Sequence, residues 1–310
     1  MNTKRIKRCI AAVIATNLAL ILAPSAHAAV SPVHTAVSAV HSDNGVPIPA
    51  KLSRIISLSP TATEILFRVG AGKQVIAVDD QSDFPVSAPR TTLSGYNLNI
   101  EAVAVRRPDL VVMTYDPTPN QNAMSAFAAL HIPVLMQYAA DDLRGTYAQI
   151  AVLGAVTGHT PTATSLIAAM KSAIAGVIRN QHCTKRIKVF HEIDNTLYSA
   201  TSDTFIGHVY ADLGLVNIAD AAATADSYGY PQLSNEYIVK TNPDLIILTD
   251  GEYGESARSV AARPGWKTVT AVKHSRVKAI SASMSSRWGP RVVDFYRAVG
   301  RIVDAINRDK

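Results

Sequence analysis

The chain has 310 residues, of which 48% are hydrophobic and 17% charged, so it is too apolar for a disordered protein and long enough for two domains. Its 16 glycines and 16 prolines are spread along the sequence, which excludes a collagen-like or low-complexity architecture. The formal net charge is +6, and the aromatic content of 6% is low for a protein that stacks nucleic-acid bases.

The N-terminus has the pattern of a secretory signal peptide. Four basic residues lie between positions 4 and 8, an apolar run covers 9–23, and an Ala-His-Ala sequence ends at Ala28. Because the run is shorter than the ~20 residues of a membrane-spanning helix, we expect residues 1–28 to be cleaved and 29–50 to form a flexible leader. Cleavage removes four cations and no acid, which lowers the net charge to +2 and argues against a nucleic-acid partner.

The two cysteines indicate an exported protein without a disulfide or a lipid anchor. Cys9 lies before the apolar run, whereas a lipoprotein signal has its cysteine at the end of that run. Cys183 is alone after cleavage, so it has no internal partner. We therefore expect the mature protein to be periplasmic or secreted.

Strand and helix patterns alternate from Lys51 onward, which predicts an α/β fold. Predicted strands over 54–58, 75–78, 110–114 and 133–136 alternate with helices over 61–69, 100–106, 121–130 and 143–156. After a long helix over 161–180 the alternation returns, with strands over 187–190, 245–249 and 277–280 and helices near 205–213, after 234 and over 292–307. We predict two Rossmann-like lobes with mostly parallel sheets, an N-terminal lobe over 51–158 and a C-terminal lobe over 183–310, joined by one connecting helix over 159–182.

An internal repeat relates the two lobes. Residues 98–101 and 108–114 (Leu-Asn-Ile-Glu and Pro-Asp-Leu-Val-Val-Met-Thr) align without a gap to 233–236 and 243–249 (Leu-Ser-Asn-Glu and Pro-Asp-Leu-Ile-Ile-Leu-Thr), at an offset of 135. Each copy predicts a glutamate in the first turn of a helix, Glu101 or Glu236, then a Pro-Asp turn that ends the helix and an apolar strand. The shared frame favours pseudo-symmetric lobes.

Motifs of enzymes are missing from the sequence. It has no Gly-x-Ser-x-Gly elbow and no phosphate-binding Gly-Lys-Ser/Thr loop, and His191 lacks the second histidine of a zinc protease because position 195 is Asn195. We therefore expect a protein that is not an enzyme and that has no resident cofactor or metal.

Aromatic and polar residues follow several of the predicted strands. Ligands of open α/β sheets bind beyond the carboxyl ends of the strands, so these residues are candidates for a binding site. Their types suit a large planar or chelated ligand, through stacking, ligation of a metal by phenolate or imidazole, and charge pairing to carboxylates. The candidates are Tyr96, Tyr115, His191, Tyr230, Arg287 and Trp288.

Several motifs together resemble the periplasmic binding proteins of ABC importers for cobalamin, haem and ferric siderophores. The motifs are Arg-Ile-Ile-Ser-Leu-Ser-Pro at 54–60 with Thr63-Glu64, Ser-Asp-Phe-Pro at 82–85, both copies of the repeat, Phe-Ile-Gly at 205–207 and Trp-Gly-Pro-Arg at 288–291. The resemblance implies a shallow cleft between two lobes, a rigid connecting helix and little closure on binding. It also implies that Glu101 and Glu236 dock onto arginines of a two-fold permease, and that Gln81 lies at a ligand contact. The expected protein is a monomer, and its metal arrives only as part of the bound ligand.

The resemblance leaves the ligand open. The chain has only two tryptophans, Trp266 and Trp288, so a tryptophan-rich cobalamin cleft is not reproduced, and Tyr96 lacks the Tyr-x-Arg pattern of some haem binders. Arg287 with the tyrosines suits an anionic ferric siderophore, which we place before cobalamin and haem.

Two other classes remain alternatives. One is a free-zinc or manganese binding protein, which needs several histidines and a carboxylate around the metal. The other is a secreted hydrolase or chelatase that uses His191 as a base, with Glu192 and Asp194 as its neighbours.

Overall fold

Residues 40–114, 122–181 and 186–308 are described in the computed structural model of the protein. The predicted signal peptide, Tyr115 and Cys183 lie outside these residues.

The first lobe contains a parallel sheet with strand order β2-β1-β3-β4 and helices between the strands. Its elements are β1 (Ile55–Leu58), α1 (Pro60–Val69), β2 (Val75–Val78), α2 (Ile100–Ala104), β3 (Leu110–Thr114), α3 (Ala123–Ala129), β4 (Val134–Gln137) and α4 (Leu143–Val156). The local sequence explains the sharp change from β1 to α1, because the Ser59 hydroxyl accepts a hydrogen bond from the Ala62 amide and Pro60 occupies the first helical position.

The second lobe repeats this topology, with strand order β6-β5-β7-β8 and all strands parallel. Its elements are β5 (Lys188–Glu192), α6 (Phe205–Asp212), β6 (Val216–Asn217), α7 (Asn235–Thr241), β7 (Leu245–Leu248), α8 (Ala257–Ala262), α9 (Thr270–Lys273), β8 (Val277–Ala279), α10 (Ala282–Ser285) and α11 (Val292–Arg308). Sequence patterns missed β6 because two residues are too few to show a period.

The long helix between the sheets is α5 (Thr160–Asn180), which matches the predicted helix. One side of α5 is buried and packs on α4 and α11. The buried residues on this side are Ala163, Leu166, Met170 and Ile174. In the described part of the chain, α5 is the one helix long and apolar enough to cross a membrane by length and composition. Its buried side and its neighbours make it a helix of the folded protein here.

A shared core joins the two lobes. Alternate strand residues face opposite sides of each sheet, so Ile55 of β1 and Val189 of β5 enter one common cluster that also includes α5 and α11 side chains. The opposite faces form separate cores, with Ile56 in the first lobe and Phe190 in the second. The sheets are therefore tied to the same central helices.

The two Pro-Asp turns of the repeat fasten neighbouring strands. Asp109 Oδ2 accepts hydrogen bonds from the Ser53 and Arg54 amides at 2.8 and 3.0 Å, and Asp244 Oδ2 accepts one from the Lys188 amide at 2.9 Å. The prediction that this turn ends the preceding helix was wrong for the first copy, because α2 already ends at Ala104. Each aspartate instead fixes the start of one of the two inner strands of its sheet, β1 or β5.

Candidate ligand-binding cleft

A cleft of about 840 Å³ opens at the carboxyl ends of the second lobe's strands. Most of its wall comes from that lobe, and residues 139–141, which follow β4, supply the part from the first lobe. Its volume lies within the range of small-molecule sites, which is roughly 300–1,000 Å³.

Among the described residues, four tyrosines line this cleft: Tyr198, Tyr228, Tyr230 and Tyr253. Tyr228 and Tyr253 are each 86% exposed, and the other two are about half as exposed. Apolar rings with a hydroxyl at one end are costly to leave in water together, and they offer a flat ligand both stacking surface and hydrogen bonds. We call these four residues the tyrosine wall.

The loop that carries two of these tyrosines depends on Gly229. Gly229 has φ of +85°, and a Cβ there would lie 2.7 Å from the Thr204 methyl group. Its carbonyl accepts a hydrogen bond from the Thr201 amide at 2.8 Å, which holds the loop against the segment before α6. Only glycine adopts this positive φ and fits beside the Thr204 methyl group without strain. Gly229 therefore fixes the positions of the two tyrosine rings on either side of it.

His191, at the end of β5, lines the inner part of the cleft and is 1% exposed. Its Nδ1 lies 2.6 Å from the Tyr210 hydroxyl of α6. Burial lowers the pKa of His191 to about 3 and raises the pKa of Tyr210 well above its usual value. Both groups are therefore neutral at any physiological pH.

Trp288 also lines the cleft and ties the lobes together. Its indole nitrogen donates to Gln149 Oε1 of α4 at 3.1 Å, across from the second lobe to the first. Nearby, His208 Nδ1 lies 2.8 Å from the Asp141 carbonyl oxygen, which makes another contact between α6 and the first lobe.

Arg287 lies outside the cleft, in a partly buried ion cluster that joins the lobes. Its guanidinium donates to Asp83 Oδ1 at 2.6 Å, to Glu64 Oε1 at 3.3 Å and to the Gln81 carbonyl at 2.9 Å. Arg291 donates to both oxygens of Glu64, at 2.9 and 2.5 Å. Because Arg287 is already paired with carboxylates, the structure does not offer it to an anionic ligand in the cleft.

Gln81 and Tyr96, the other predicted contacts, belong to the first lobe and do not line the cleft. Both side chains are exposed, Tyr96 by 73%. The structure thus brings together His191, Tyr230 and Trp288 and leaves Gln81, Tyr96 and Arg287 apart from them, while Tyr115 lies outside the described residues.

Of the tyrosine wall, only Tyr230 was among the site residues chosen from the sequence. The sequence also placed the segments 228–230 and 250–253 at the ligand-binding edge, which is where Tyr228 and Tyr253 lie, but neither residue was chosen. Tyr198 had no such signal, because its position results from an isolated bridge to Gln232.

Glu101 and Glu236 occupy equivalent positions in the two lobes. Each is exposed in the first turn of its helix, α2 or α7, and the preceding caps are Asn99 and Ser234. Among the described residues neither carboxylate has an ion-pair partner.

The carboxylates beside His191 are hydrogen-bonded to other residues. Glu192 accepts two hydrogen bonds from Arg263 at 2.6 Å each, and Asp194 accepts from the Thr196 amide and hydroxyl. Across residues 40–114, 122–181 and 186–308, no group of three or more His, Cys, Asp or Glu side chains is arranged to hold a metal ion.

Comparison with known proteins identifies the family. Residues 55–284 match the family described as periplasmic binding protein. The chain belongs to this family. An uncharacterized ABC transporter substrate-binding lipoprotein of Bacillus subtilis, YvrC, is 30% identical over 260 residues, which cover 82% of this chain and 80% of that protein. A cobalamin-binding protein of Halobacterium salinarum is 27% identical over 262 residues, which cover 82% of this chain and 70% of that protein.

A solved structure agrees with the sequence relatives. A possible iron-binding, periplasmic solute-binding protein of Staphylococcus epidermidis superposes with a TM-score of 0.69 at 27% identity, over 82% of this chain and 99% of that one. The predicted family, the two-lobed α/β fold and the function class of a solute-binding protein of ABC importers are confirmed. Because the Bacillus subtilis relative is named a lipoprotein, the predicted lack of a lipid anchor is not borne out.

Proposed function

We propose that this protein captures a metal chelate against the tyrosine wall and delivers it to an ABC importer, without catalysing a reaction. The observation that carries the proposal is the set of four tyrosines around one cleft of about 840 Å³. A large planar ligand covers such rings and removes their apolar surface from water. The metal enters only inside the ligand, so no resident cofactor is required.

Within this class, a corrinoid is the first candidate. Several relatives are named cobalamin-binding or vitamin B12-binding proteins, which supports a corrinoid for this chain too. Arg287, which favoured an anionic siderophore, is paired with Asp83 and Glu64 outside the cleft. Ferric siderophores and haem are the next candidates.

The mature protein is proposed to begin near residue 29 and to act outside the cytoplasm, with lobes over 51–158 and 183–310 and a connecting helix over 159–182. The intact mass of the mature protein tests cleavage near Ala28 and shows whether a lipid is attached.

Docking to the permease is proposed to use Glu101 and Glu236. Both carboxylates are exposed and occupy matching places in the repeated topology, which suits a partner with two-fold symmetry. The double variant Glu101→Ala, Glu236→Ala should abolish uptake and leave solution affinity unchanged, whereas normal uptake would exclude the role.

A ligand panel tests the central proposal. Purified mature protein is mixed separately with cyanocobalamin, hemin and ferrichrome, passed through a desalting column, and its absorption spectrum recorded. We expect cyanocobalamin to elute with the protein at one per chain. If only hemin or only ferrichrome eluted with the protein, that compound would become the proposed ligand in place of the corrinoid. If none of the three eluted with the protein, the proposal that it captures a metal chelate would be rejected.

A further inference from the structure

Two residues that line the cleft each have a buried polar side-chain atom without a hydrogen-bond partner among the described residues. These atoms are Nε2 of His191 and Oγ1 of Thr201. Since an unpaired polar atom in a buried place is costly, such atoms at the edge of a cleft indicate where a ligand makes a hydrogen bond. Of the two residues, His191 can be analysed further, because its other ring nitrogen, Nδ1, is hydrogen-bonded to the Tyr210 hydroxyl.

The contact between His191 and Tyr210 determines which nitrogen carries the proton. Within the described part of the chain, the Tyr210 hydroxyl has no hydrogen-bond partner other than His191 Nδ1. If Nδ1–H donated to the phenol oxygen, the phenol proton would be left without an acceptor in a fully buried place. If the phenol donates to Nδ1, the one unpaired donor of the two side chains is Nε2–H of His191, a residue that lines the cleft.

A charged His191 ring or a Tyr210 phenolate would change this assignment, but neither form is present. Burial holds the pKa of His191 at about 3, so the ring is neutral and carries one proton. The Tyr210 phenol keeps its proton, because burial raises its pKa. Tyr210 is also fixed in place, since its ring packs edge-on against Phe295 at a centroid distance of 5.8 Å.

We propose that Tyr210 holds His191 in the Nε2–H form, so that His191 donates a hydrogen bond to an oxygen acceptor of the ligand and does not coordinate the ligand's metal. Tyr210 acts as a positioning residue, and the acceptor is a carbonyl, amide or carboxylate oxygen at the edge of the chelate. The part about the ligand rests on the proposed function, whereas the position of the proton is a property of the free protein.

The first experiment needs no ligand. Nitrogen-15 NMR of ring-labelled histidines distinguishes protonated from unprotonated ring nitrogens, and His191→Gln assigns the His191 signals among the histidines of the mature protein. We expect Nε2 protonated and Nδ1 unprotonated, and we expect Tyr210→Phe, which removes only the hydroxyl, to change this pattern while the protein stays folded. A wild-type signal from Nδ1–H, or an unchanged pattern in Tyr210→Phe, would overturn the proposal.

The second experiment compares two corrinoids. Aquocobalamin has a water on cobalt that an imidazole can replace, whereas cyanocobalamin has a tightly held cyanide there. We expect equal affinity for both, no change in the aquocobalamin spectrum on binding, and a loss of about tenfold for both in His191→Phe. His191→Gln, whose amide can donate, should recover part of this loss.

Coordination of cobalt by His191 and failure of the protein to bind corrinoids give different results. Tighter binding of aquocobalamin with a shifted spectrum, abolished in His191→Phe, would show that His191 coordinates cobalt. If neither corrinoid binds the wild-type protein, the corrinoid assignment is rejected, the metal-coordination test is repeated with the chelate selected by the panel, and the NMR result still decides the proton position.

Discussion

The buried carboxylate of Glu64 is expected to contribute strongly to the stability of the contact between the lobes. It is 1% exposed and accepts hydrogen bonds from Arg291 and Arg287, whose side chains are 17% and 14% exposed. Removing one partner of a buried ion pair leaves the other charge without compensation, which costs ~3–5 kcal/mol. Because Arg287 keeps Asp83 at 2.6 Å, we expect Glu64→Gln to lose about 3 kcal/mol of unfolding free energy, the lower end of that range.

Urea denaturation of the mature protein at pH 7 measures this loss. The control is Asp294→Asn, which removes a carboxylate paired with Arg297 where both side chains are about half exposed. Such a surface pair contributes at most about 1 kcal/mol, so the control should lose much less than Glu64→Gln. Equal losses in the two variants would refute the reasoning, because burial would then add nothing to the pair.

Three further predictions follow from the site and the lobe contacts. Burial raises the pKa of Asp79 to about 6, so between about pH 4 and 6 the folded protein binds more protons than the unfolded chain and its stability falls as the pH rises. Urea titrations over this pH range should show that Asp79→Asn removes about 2 kcal/mol of the fall in unfolding free energy. The same pH dependence in Asp79→Asn and the wild-type protein would contradict this prediction. Gly229→Ala should weaken binding of the chelate that the ligand panel selects. The control Gly158→Ala is also at positive φ, but it has open space around its Cβ and should leave binding unchanged. Equal affinities of the two variants would exclude a role of the Gly229 loop in holding the ligand. Small-angle scattering should give nearly the same radius of gyration with and without that chelate, because the Glu64 cluster ties the lobes, and a large decrease would show clamp-like closure.

The fold was largely predictable from the sequence because it depends on local periodicity. The alternation of apolar strands and amphipathic helices, together with the 135-residue repeat, predicted two sheets, and their identical strand orders agree with it. β6 escaped detection because it has two residues, and the first Pro-Asp turn was misread because its role is a long-range contact between Asp109 and the start of β1.

The site was less predictable because it depends on contacts between distant segments. Chemical type alone suggested that Arg287 would bind an anion, but its partner Asp83 lies 204 positions earlier in the chain and satisfies its charge. His191 was correctly placed at a strand end, but its pairing with Tyr210 was not visible in the sequence. Tyr198 reaches the cleft through a bridge to Gln232, which no local pattern indicates.

Equilibrium dialysis with cyanocobalamin tests most directly whether the tyrosine wall binds a corrinoid. The wild-type protein is compared with the double variant Tyr228→Ala, Tyr253→Ala and with Val105→Ala, a control that shortens a side chain 75% exposed and outside the cleft. Two aromatic contacts contribute roughly 0.5–1.5 kcal/mol each beyond buried area, so the double variant should bind at least ~5-fold more weakly while the control is unchanged. Equal affinity of the wild-type protein and the double variant, or no binding by either, would contradict the account.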